Sequence, residues 1–316
     1  MKKITLIAPS SFGYIDFLAN TLKNKPNVKV THINYSNFKF QYTSLFQKIK
    51  NGFGKIFLQK NIKDTYRSKC ILDIVSKNGK QDFIVVIRPD LLELETLITL
   101  KKYTSNFDAF YFDAIHNYPL KKQLIPYFDK VYSYEKDDIN KYNLNFTTNF
   151  IYDQSIPISK EKYTVFNISS YDSRFESIEK IANHLLEQNI SYKILVRKER
   201  PIDSDSVEII KDYIPLEQVK DMIAESSILL DIQMPNQKGL SFRVFEALGY
   251  QKKLITTNTD IVNYDFYNSN NIYIIDDINQ IEIPKSFFQS EYMPISEDIL
   301  YKYTLDGWIL EVFKIT

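Results

Sequence analysis

Glycine and cysteine are scarce in this chain, which has 7 glycines and 1 cysteine among 316 residues. A single cysteine cannot form an intramolecular disulfide, and Cys70 has no thiol or histidine neighbour at metal-ligand spacing. We expect Cys70 to be a small core residue. Two of the few glycines, Gly239 and Gly249, bracket one predicted helix. We expect Gly239 to allow a close approach where that helix begins and Gly249 to form a left-handed cap where it ends.

Long hydrophobic runs are also missing. No apolar run approaches the ~18 to 20 residues of a membrane-spanning helix, and residues 1–4 enter a short strand-like run without the shape of a signal peptide. A hydrophobic fraction of 44% and a charged fraction of 25% are typical of a globular protein. We therefore expect a cytoplasmic protein, and its length predicts two domains of about 150 residues each.

Acidic residues are absent between Asp16 and Asp64, although the net charge of the whole chain is +1. The near-neutral total argues against a nucleic-acid footprint spread over the protein. The acid-free segment, residues 17–63, contains phenylalanines and these lysines: Lys23, Lys25, Lys29, Lys39, Lys48, Lys50, Lys55, Lys60 and Lys63. A basic, aromatic segment suits an anionic membrane surface. The alternative is an ordinary solvated face; we favour peripheral contact with the inner face of the plasma membrane.

Strand-like apolar runs alternate with helix-period segments along the first half of the chain. The strand-like runs are residues 3–9, 28–34, 82–90, 108–117 and 130–134. The helical segments are residues 14–22, 91–103 and 135–142. Alternation of this kind predicts an α/β fold with parallel strands and right-handed crossovers.

The alternation restarts after a polar, proline-containing segment at residues 150–163, which we interpret as a linker. The helix that follows begins with Ser173 and Glu176 at the spacing of a capping box. We therefore predict two doubly wound domains, residues 1–155 and 160–295, and a final helical segment at residues 296–316.

Residues 228–258 form the most informative stretch, a pattern of strand, polar loop, helix and strand. Arg243 and Glu246 lie one turn apart on the predicted helix. Anionic ligands bind where a helix N-terminus faces the carboxyl ends of parallel strands. This placement lets Arg243 contact a phosphate and Glu246 accept hydrogen bonds from a ribose diol.

The run KGLSFRVFEALGYQKKLITTN, residues 238–258, resembles the donor-binding helix of GT-B glycosyltransferases. Glu246 and Ala247 match the Glu-Ala pair of that family, whose Glu contacts the ribose of the nucleotide sugar. Gly249 falls one place before the family glycine, and two lysines follow near the family lysine. Lys238 stands where retaining enzymes with a Glu-x7-Glu motif have another Glu. The retaining mechanism therefore cannot be carried over, and inversion is favoured.

The run FYFDAIHN, residues 110–117, followed by KVYSYEKDDINKYNL, residues 130–144, resembles bacterial cell-surface polysaccharide transferases that build lipopolysaccharide or capsule. The two resemblances together imply the GT-B architecture. That architecture has two Rossmann-like doubly wound domains facing a cleft, with a C-terminal helix that crosses back to the first domain. They also imply a nucleotide-sugar donor and a glycan or glycolipid acceptor.

Candidate binding residues follow predicted strands or begin predicted helices, where an anionic donor would bind. The donor-side candidates are Arg174, Arg197, Gly239, Ser241, Arg243 and Glu246. The acceptor-side candidates are Gly13, Asp16, Arg88 and Asp90. For Arg88 and Asp90 the alternative is a surface ion pair.

The predicted catalytic base is Asp113 or His116, which follow a buried strand of the first half. A histidine is matched to neutral pH, and an aspartate needs burial or positioning to act as a base. The alternatives are a helix cap for Asp113 and a structural imidazole for His116. Asp16 is the next candidate.

Metal and cofactor motifs are missing from the sequence. The Asp-Ser-Asp run at residues 203–205 lies in a polar connector, where a solvated turn is the better interpretation. We therefore expect a metal-independent glycosyltransferase without a cofactor or a nucleic-acid partner. The alternatives are a nucleotide-sugar epimerase on the same fold and a non-catalytic subunit that binds a nucleotide and activates a partner.

Overall fold

The computed structural model describes residues 1–10, 13–57, 61–200 and 202–316, with the side chains of residues 54–57 excepted. Lys60 and the side chain of Lys55, both part of the predicted membrane-binding segment, lie outside the described residues. Internal contacts divide the chain into two units. The first unit comprises Met1–Thr147 and Ile309–Thr316, and the second comprises Thr148–Trp308.

The first unit is built on a parallel sheet. Its strands are β1 Lys2–Ala8, β2 Val28–Asn34, β3 Gln81–Ile87, β4 Thr104–Tyr111, β5 Lys130–Ser133 and β6 Asn145–Phe146. Its helices are α1 Tyr14–Asn24, α2 Leu45–Phe57, α3 Ile62–Asn78, α4 Leu94–Lys101, α5 Leu120–Leu124 and α6 Lys136–Tyr142. Short 3-10 turns lie at Tyr35–Asn37, Pro89–Leu91, Ile115–Asn117 and Ile125–Tyr127.

Over the described residues this sheet has six strands in the order β2-β1-β3-β4-β5-β6. Its central strands are apolar along most of their length, because helices cover both faces of a parallel sheet. Residues 84–87 of β3, for example, are all buried. The point where the strand order reverses lies between β1 and β3, and ligands of doubly wound sheets bind at such a point, beyond the carboxyl ends of the strands.

The second unit has the same construction. Its strands are β7 Tyr163–Ser170, β8 Tyr192–Arg197, β9 Glu208–Ile210, β10 Ser226–Asp231, β11 Lys253–Thr256 and β12 Ile272–Ile274. Its helices are α7 Phe175–Glu187, α8 Leu216–Ala224, α9 Phe242–Gly249, α10 Lys285–Gln289 and α11 Glu297–Tyr303. A 3-10 turn lies at Thr259–Asn263, and α12, Leu305–Phe313, ends in the part of the chain that belongs to the first unit.

The second sheet also has six parallel strands among the described residues, in the order β12-β11-β10-β7-β8-β9. Its strand order reverses between β7 and β10, which makes their carboxyl ends the expected ligand edge. The prediction of an α/β fold with two doubly wound, Rossmann-like units is confirmed. Helix α9 joins β10 to β11, so the strand-loop-helix-strand interpretation of residues 228–258 is also confirmed.

Two local predictions are wrong. Ser173 does not cap α7: the helix begins at Phe175, its N-cap residue is Arg174, and the Asp172 carboxylate accepts the N–H of Arg174 at 2.9 Å. Gly249 is not a left-handed cap, because it is the last residue of α9 and the positive φ of 52° falls on Gln251.

Gly249 is required for a different reason. A Cβ atom at this position would lie 2.5 Å from Cγ2 of Ile151 and 2.7 Å from the carbonyl oxygen of Asp153. The close approach that the sequence suggested for the start of the helix is therefore observed at its end.

The ends of the second unit lie side by side. The indole Nε1–H of Trp308 donates a hydrogen bond to the carbonyl of Thr148 at 3.0 Å, and both residues are buried. These are the first and last residues of the unit.

Two further observations concern the sequence predictions. Cys70 lies in α3 and is half-buried. The expectation that it belongs to the fully buried core is therefore wrong. No helix in the described part of the chain is long and apolar enough to cross a membrane.

Candidate functional site

The ligand edge of the second unit is organised around Asp231, the last residue of β10. Its carboxylate accepts hydrogen bonds from Oγ of Ser241 at 2.7 Å and from Oγ1 of Thr256 at 2.9 Å. Ser241 is the N-cap of α9, and its Oγ also accepts the N–H of Arg243 at 3.1 Å. The buried carboxylate therefore fixes the first turn of α9 against the ends of β10 and β11.

Arg243 and Glu246 form an ion pair on α9, and the Glu246 side chain is only 2% exposed. The hydroxyl of Tyr152 donates to the other Glu246 oxygen at 2.7 Å. The Arg243 guanidinium also donates to the carbonyl of Ile168 in β7 at 3.3 Å and lies 5.7 Å from the ring centroid of Phe166. The two predicted donor-site residues are thus held together where the strand order reverses.

Arg174 reaches the same edge from the N-terminus of α7. Its guanidinium forms a bidentate pair with Asp172 and donates to the carbonyl of Ile232, just beyond β10, at 2.9 Å. Burial alone would raise the pKa of Asp172, but hydrogen bonds from the side chain and backbone of Arg174 outweigh it and lower the pKa. The pair therefore persists as charged groups, and three of the five guanidinium N–H groups are used.

Arg197 ends β8 and has a different environment. Its guanidinium lies 3.7 Å from the ring centroid of Tyr213, and one of its Nη atoms is 3.4 Å from a Glu199 oxygen. Unlike those of Arg174 and Arg243, its guanidinium makes no hydrogen bond to a backbone carbonyl among the contacts that the described residues show.

Three buried polar atoms in the second half of β7 and at the end of β8 have no hydrogen-bond partner among the described residues. They are Oδ1 of Asn167, Oγ of Ser169 and Nε of Arg197. Asn167 is anchored through its amide Nδ2, which donates to the carbonyl of Leu230 at 2.7 Å. A buried polar group without a partner costs ~1 to 3 kcal/mol, so an edge with three of them is suited to a polar ligand.

Gly239 is buried in the loop between β10 and α9. Neighbouring loop carbonyls accept two side-chain amides: Nδ2 of Asn149 donates to Leu240 at 2.9 Å, and Nδ2 of Asn258 donates to Lys238 at 3.0 Å. The loop that carries Gly239 is therefore fastened on both sides.

In the first unit, the structure brings three predicted residues together at the ends of β3 and β4. Arg88, whose φ of 58° is left-handed, forms a bidentate pair with Asp90, with Nη2 at 2.8 Å from the carboxylate. Its other terminal nitrogen lies 4.0 Å from the Asp113 carboxylate, and its guanidinium stacks 4.1 Å from the ring centroid of Tyr118. The Arg88–Asp90 pair is largely buried and is more than a surface ion pair.

Lys121 lies beneath this cluster and is fully buried. Its ammonium donates to the backbone carbonyl of Asp113 at 3.0 Å and lies 4.7 Å from the ring centroid of Tyr118. Burial lowers the pKa of Lys121 to about 8, although the nearby Asp113 and Asp90 carboxylates act to raise it. A titratable cation therefore supports the loop that presents Asp113, whose side chain is 35% exposed.

His116 lies outside the Arg88 cluster, on the exposed 3-10 turn after β4. The same turn is anchored by Asp138, whose carboxylate accepts the N–H of Ile115 at 2.6 Å. Burial raises the pKa of Asp138, while that hydrogen bond and the nearby His116 act to lower it.

The remaining acceptor-side candidates lie after β1. Gly13 is the N-cap of α1 with a φ of 89°, a conformation that suits glycine. Asp16 lies in the first turn of α1, 3.3 Å from Nδ1 of His32, and burial lowers the pKa of that imidazole. Asp16 is therefore paired with His32 of β2 and takes no part in the Arg88 contacts described above.

The sequence did not single out several residues of these sites: Lys121, Tyr118, Tyr152, Asn167, Ser169 and Asp231. One signal was present, because the buried strand β7 ends in polar residues at positions 167, 169 and 170. No such signal marks Lys121, which lies in a lysine-containing run typical of a solvated surface. Its burial is a property of the tertiary structure.

A metal site is not evident in the described residues. No group of three or more His, Cys, Asp or Glu side chains there is arranged to hold a metal ion.

Comparisons with known proteins show the fold. No protein-family model and no curated protein matches the chain in sequence. An α-glucosyltransferase solved with UDP and a DNA containing a HMU base superposes with a TM-score of 0.62 at 11% identity, over 99% of this chain and 98% of that one. The chain has the GT-B fold.

Two further solved structures share this fold. UDP-GlcNAc 2-epimerase from Neisseria meningitidis, bound to UDP-GlcNAc, has a TM-score of 0.54 at 10% identity, over 99% of this chain and 100% of that one. S. aureus MnaA in complex with UDP has a TM-score of 0.52 at 10% identity, over 99% of this chain and 88% of that one. At identities of 10 to 11%, these similarities show a shared fold and do not show a shared reaction.

Proposed function

We propose that the protein is a glycosyltransferase that moves a sugar from a nucleotide-sugar donor to a surface-glycan acceptor, such as a lipopolysaccharide or capsule precursor. The reaction is proposed to invert the anomeric centre without a metal ion. Solved structures with the same fold contain UDP or UDP-GlcNAc, which supports a nucleotide-sugar ligand.

The observation that carries the proposal is the set of buried polar atoms in β7 and at the end of β8, in Asn167, Ser169 and Arg197, that have no partner among the described residues. They lie in the same unit as the paired guanidinium groups of Arg174 and Arg243. Phosphate and ribose oxygens are ligands that satisfy such donors and acceptors. This edge is also where doubly wound sheets bind nucleotides.

In this proposal each donor-side residue has a role. The N-terminus of α9, with Gly239 before it and Ser241 as its cap, faces the diphosphate, and the N–H groups of Arg174 that have no partner among the described residues add donors. Glu246, fixed by Tyr152 and Arg243, accepts hydrogen bonds from the ribose.

The first unit is proposed to supply the acceptor contacts and the base. Asp113 or His116 removes the proton from the attacking hydroxyl as the glycosidic bond forms, and the nucleoside diphosphate leaves with the bonding electrons. Arg88 and Asp90 contact the acceptor, with Gly13 and Asp16 from the first βα turn. Peripheral contact with the cytoplasmic face of an anionic membrane, through residues 17–63, brings the enzyme to a lipid-linked acceptor.

A nucleotide-sugar epimerase is the second candidate, because the epimerase from Neisseria meningitidis matches the chain over its whole length. Product analysis with a panel of nucleotide sugars separates the candidates. A new glycosidic bond supports the transferase, and an isomerised donor supports the epimerase. Nucleotide binding without turnover of any donor supports a non-catalytic partner subunit.

Calorimetry with UDP tests the donor site through Glu246→Gln. Hydrogen bonds to a charged group contribute ~1.5 to 3 kcal/mol, so we expect the affinity to fall at least about tenfold. The matched control is Glu176→Gln, which alters an exposed Lys–Glu helix pair in the same unit and should leave the affinity unchanged. Equal UDP affinity of Glu246→Gln and the wild type would refute the ribose contact.

A further inference from the structure

Helix α2 exposes several large apolar side chains. Leu45 is 80% exposed, Phe46 75%, Ile49 59% and Phe53 60%. At ~100° per residue, these four positions fall within an arc of about 100° on one face of the helix. Single exposed apolar residues are common on protein surfaces, whereas a contiguous apolar face marks an interaction site.

The opposite face of α2 attaches the helix to the rest of its unit. Asn51 is 7% exposed; its amide Nδ2 donates to the hydroxyl of Tyr42 at 2.8 Å, and its Oδ1 accepts the N–H of Ile62 at 2.8 Å. On the helical wheel Asn51 lies roughly 190° from the centre of the apolar arc. The helix is therefore held by a polar contact on one side, and its apolar side points away from that contact.

Positive charges flank the apolar face. Lys48 and Lys50 are exposed and fall on either side of the apolar arc, roughly 60° and 40° beyond its edges. No acidic residue occurs in residues 17–63 to neutralise them. An apolar face bordered by lysines is the arrangement of helices that lie in the interface of an anionic bilayer.

We propose that α2 is the element that docks this protein on an anionic lipid surface, with its apolar face in the interface and Lys48 and Lys50 against headgroup phosphates. The inference rests on the proposed function, which places the acceptor at a membrane, and it reduces the contact from residues 17–63 to one helix. Thirteen residues span ~20 Å, less than the ~30 Å of a hydrocarbon core, so α2 lies along the surface.

Other described parts of the acid-free segment are engaged in the fold. Strand β2 pairs with β1, and Phe38 packs against the hydrophobic core of the first unit. Phe40 is half-buried and packs edge-on against Tyr66. The bases of a nucleic acid can stack on the ring of Phe46, but they offer no partner for the aliphatic side chains of Leu45 and Ile49. The exposed aliphatic and aromatic face therefore favours lipid.

Vesicle co-sedimentation of the full chain tests this inference. The probes are phosphatidylcholine vesicles with and without phosphatidylglycerol. We expect binding only with phosphatidylglycerol, weakened by salt because the Debye length is about 10 Å at 0.1 M. The double variant Phe46→Ser, Ile49→Ser should abolish binding. The variant Lys48→Gln, Lys50→Gln should weaken it by roughly fivefold or more for each lysine.

Two matched controls come from the second unit. Leu186→Ser changes a leucine that is 60% exposed on another helix, and Lys211→Gln with Lys285→Gln removes two exposed lysines. Both controls should bind vesicles as the wild type does. Wild-type binding by the Phe46→Ser, Ile49→Ser variant, equal binding to vesicles without phosphatidylglycerol, or lysine-dependent binding of DNA without any binding of vesicles would overturn the inference.

A second readout reports insertion directly. In Phe46→Trp the new indole should shift its emission to shorter wavelength with phosphatidylglycerol vesicles, while the native Trp308 is buried and constant. An unshifted spectrum on vesicle-bound protein would contradict insertion. UDP calorimetry separates this inference from the proposed function, because α2 variants should bind UDP normally. Loss of vesicle binding with intact UDP affinity concerns α2 alone, and vesicle binding without UDP affinity would contradict only the donor site.

Discussion

The two sheets place charged residues at equivalent edges but arrange them differently. At the ends of β3 and β4, Arg88 is matched by two carboxylates, Asp90 and Asp113, above the buried ammonium of Lys121. At the ends of β7 and β10, Arg174 and Arg243 each pair with one carboxylate and also donate to backbone carbonyls. The second edge additionally holds buried polar atoms that have no partner among the described residues.

The difference shows that the same doubly wound construction carries two different arrangements of charge at its ligand edge. The first edge satisfies its charges internally and leaves a partly exposed carboxylate, that of Asp113, supported from below. The second edge holds polar atoms without partners among the described residues, and in the proposed function the nucleotide-sugar donor satisfies them. We therefore expect substitutions at the first edge to change turnover or stability and substitutions at the second edge to change nucleotide affinity.

The largest expected effect concerns the base. Asp113→Asn or His116→Ala should lower turnover ~10² to 10⁴-fold and leave UDP affinity close to that of the wild type, since a base acts on the acceptor. Initial rates with the donor identified by product analysis, together with UDP calorimetry, measure both quantities.

Two outcomes for these variants would contradict a catalytic role of the first edge. If both variants keep wild-type turnover, the base lies elsewhere, and Asp16→Asn is the next variant to test. If a variant loses UDP affinity and thermal stability together, its residue is structural.

A smaller effect is expected from the buried ammonium. The pKa of Lys121 is about 8 in the folded protein, below the value of about 10.4 for an unfolded chain. Between these values the unfolded state binds more protons, so stability rises with pH. Relative to Lys121→Met, the wild type should gain ~2 kcal/mol in free energy of unfolding between pH 8 and pH 10.

Urea unfolding at several pH values measures this gain. Lys285→Met, at an exposed lysine of the second unit, is the control and should follow the wild type at each pH. A difference between Lys121→Met and the wild type that stays constant with pH would show that the ammonium of Lys121 does not titrate in this range.

The smallest expected effect compares two arginines. Arg174→Gln should weaken UDP binding by about tenfold, since a charge-assisted hydrogen bond is lost. Arg88→Gln should leave UDP affinity unchanged while lowering stability, because Asp90 loses its partner. Calorimetry and thermal unfolding of both variants measure the contrast. Equal loss of UDP affinity in the two would remove the distinction between the edges.

The sequence was most informative where local pattern and fold agree. Apolar runs of strand length predicted β1 and β3 closely, because a parallel strand buried on both faces is apolar along its length. The helix with Arg243 and Glu246 was identified because its loop, helix and strand occur consecutively in the chain. The grouping of Arg88, Asp90 and Asp113 followed from their positions after neighbouring strands.

The remaining features depend on contacts between distant segments. Nothing in residues 120–124 distinguishes Lys121 from a solvated lysine, since its burial depends on Tyr111 and Tyr118. The prediction of a capping box at Ser173 was wrong because the carboxylate of Asp172, one residue earlier, accepts the backbone N–H of Arg174. Tyr152 is 94 residues away from Glu246, so its hydrogen bond could not be read from spacing.

The hydrogen bond between Trp308 and Thr148 has a practical consequence for protein engineering. Because the second unit begins and ends at this contact, it is topologically an insertion into the first, and its two termini are adjacent. A protein fragment of residues 148–308 would contain both residues of this hydrogen bond, Thr148 and Trp308. Because Trp308 is the sole tryptophan, its fluorescence would report whether the two ends of the fragment had come together.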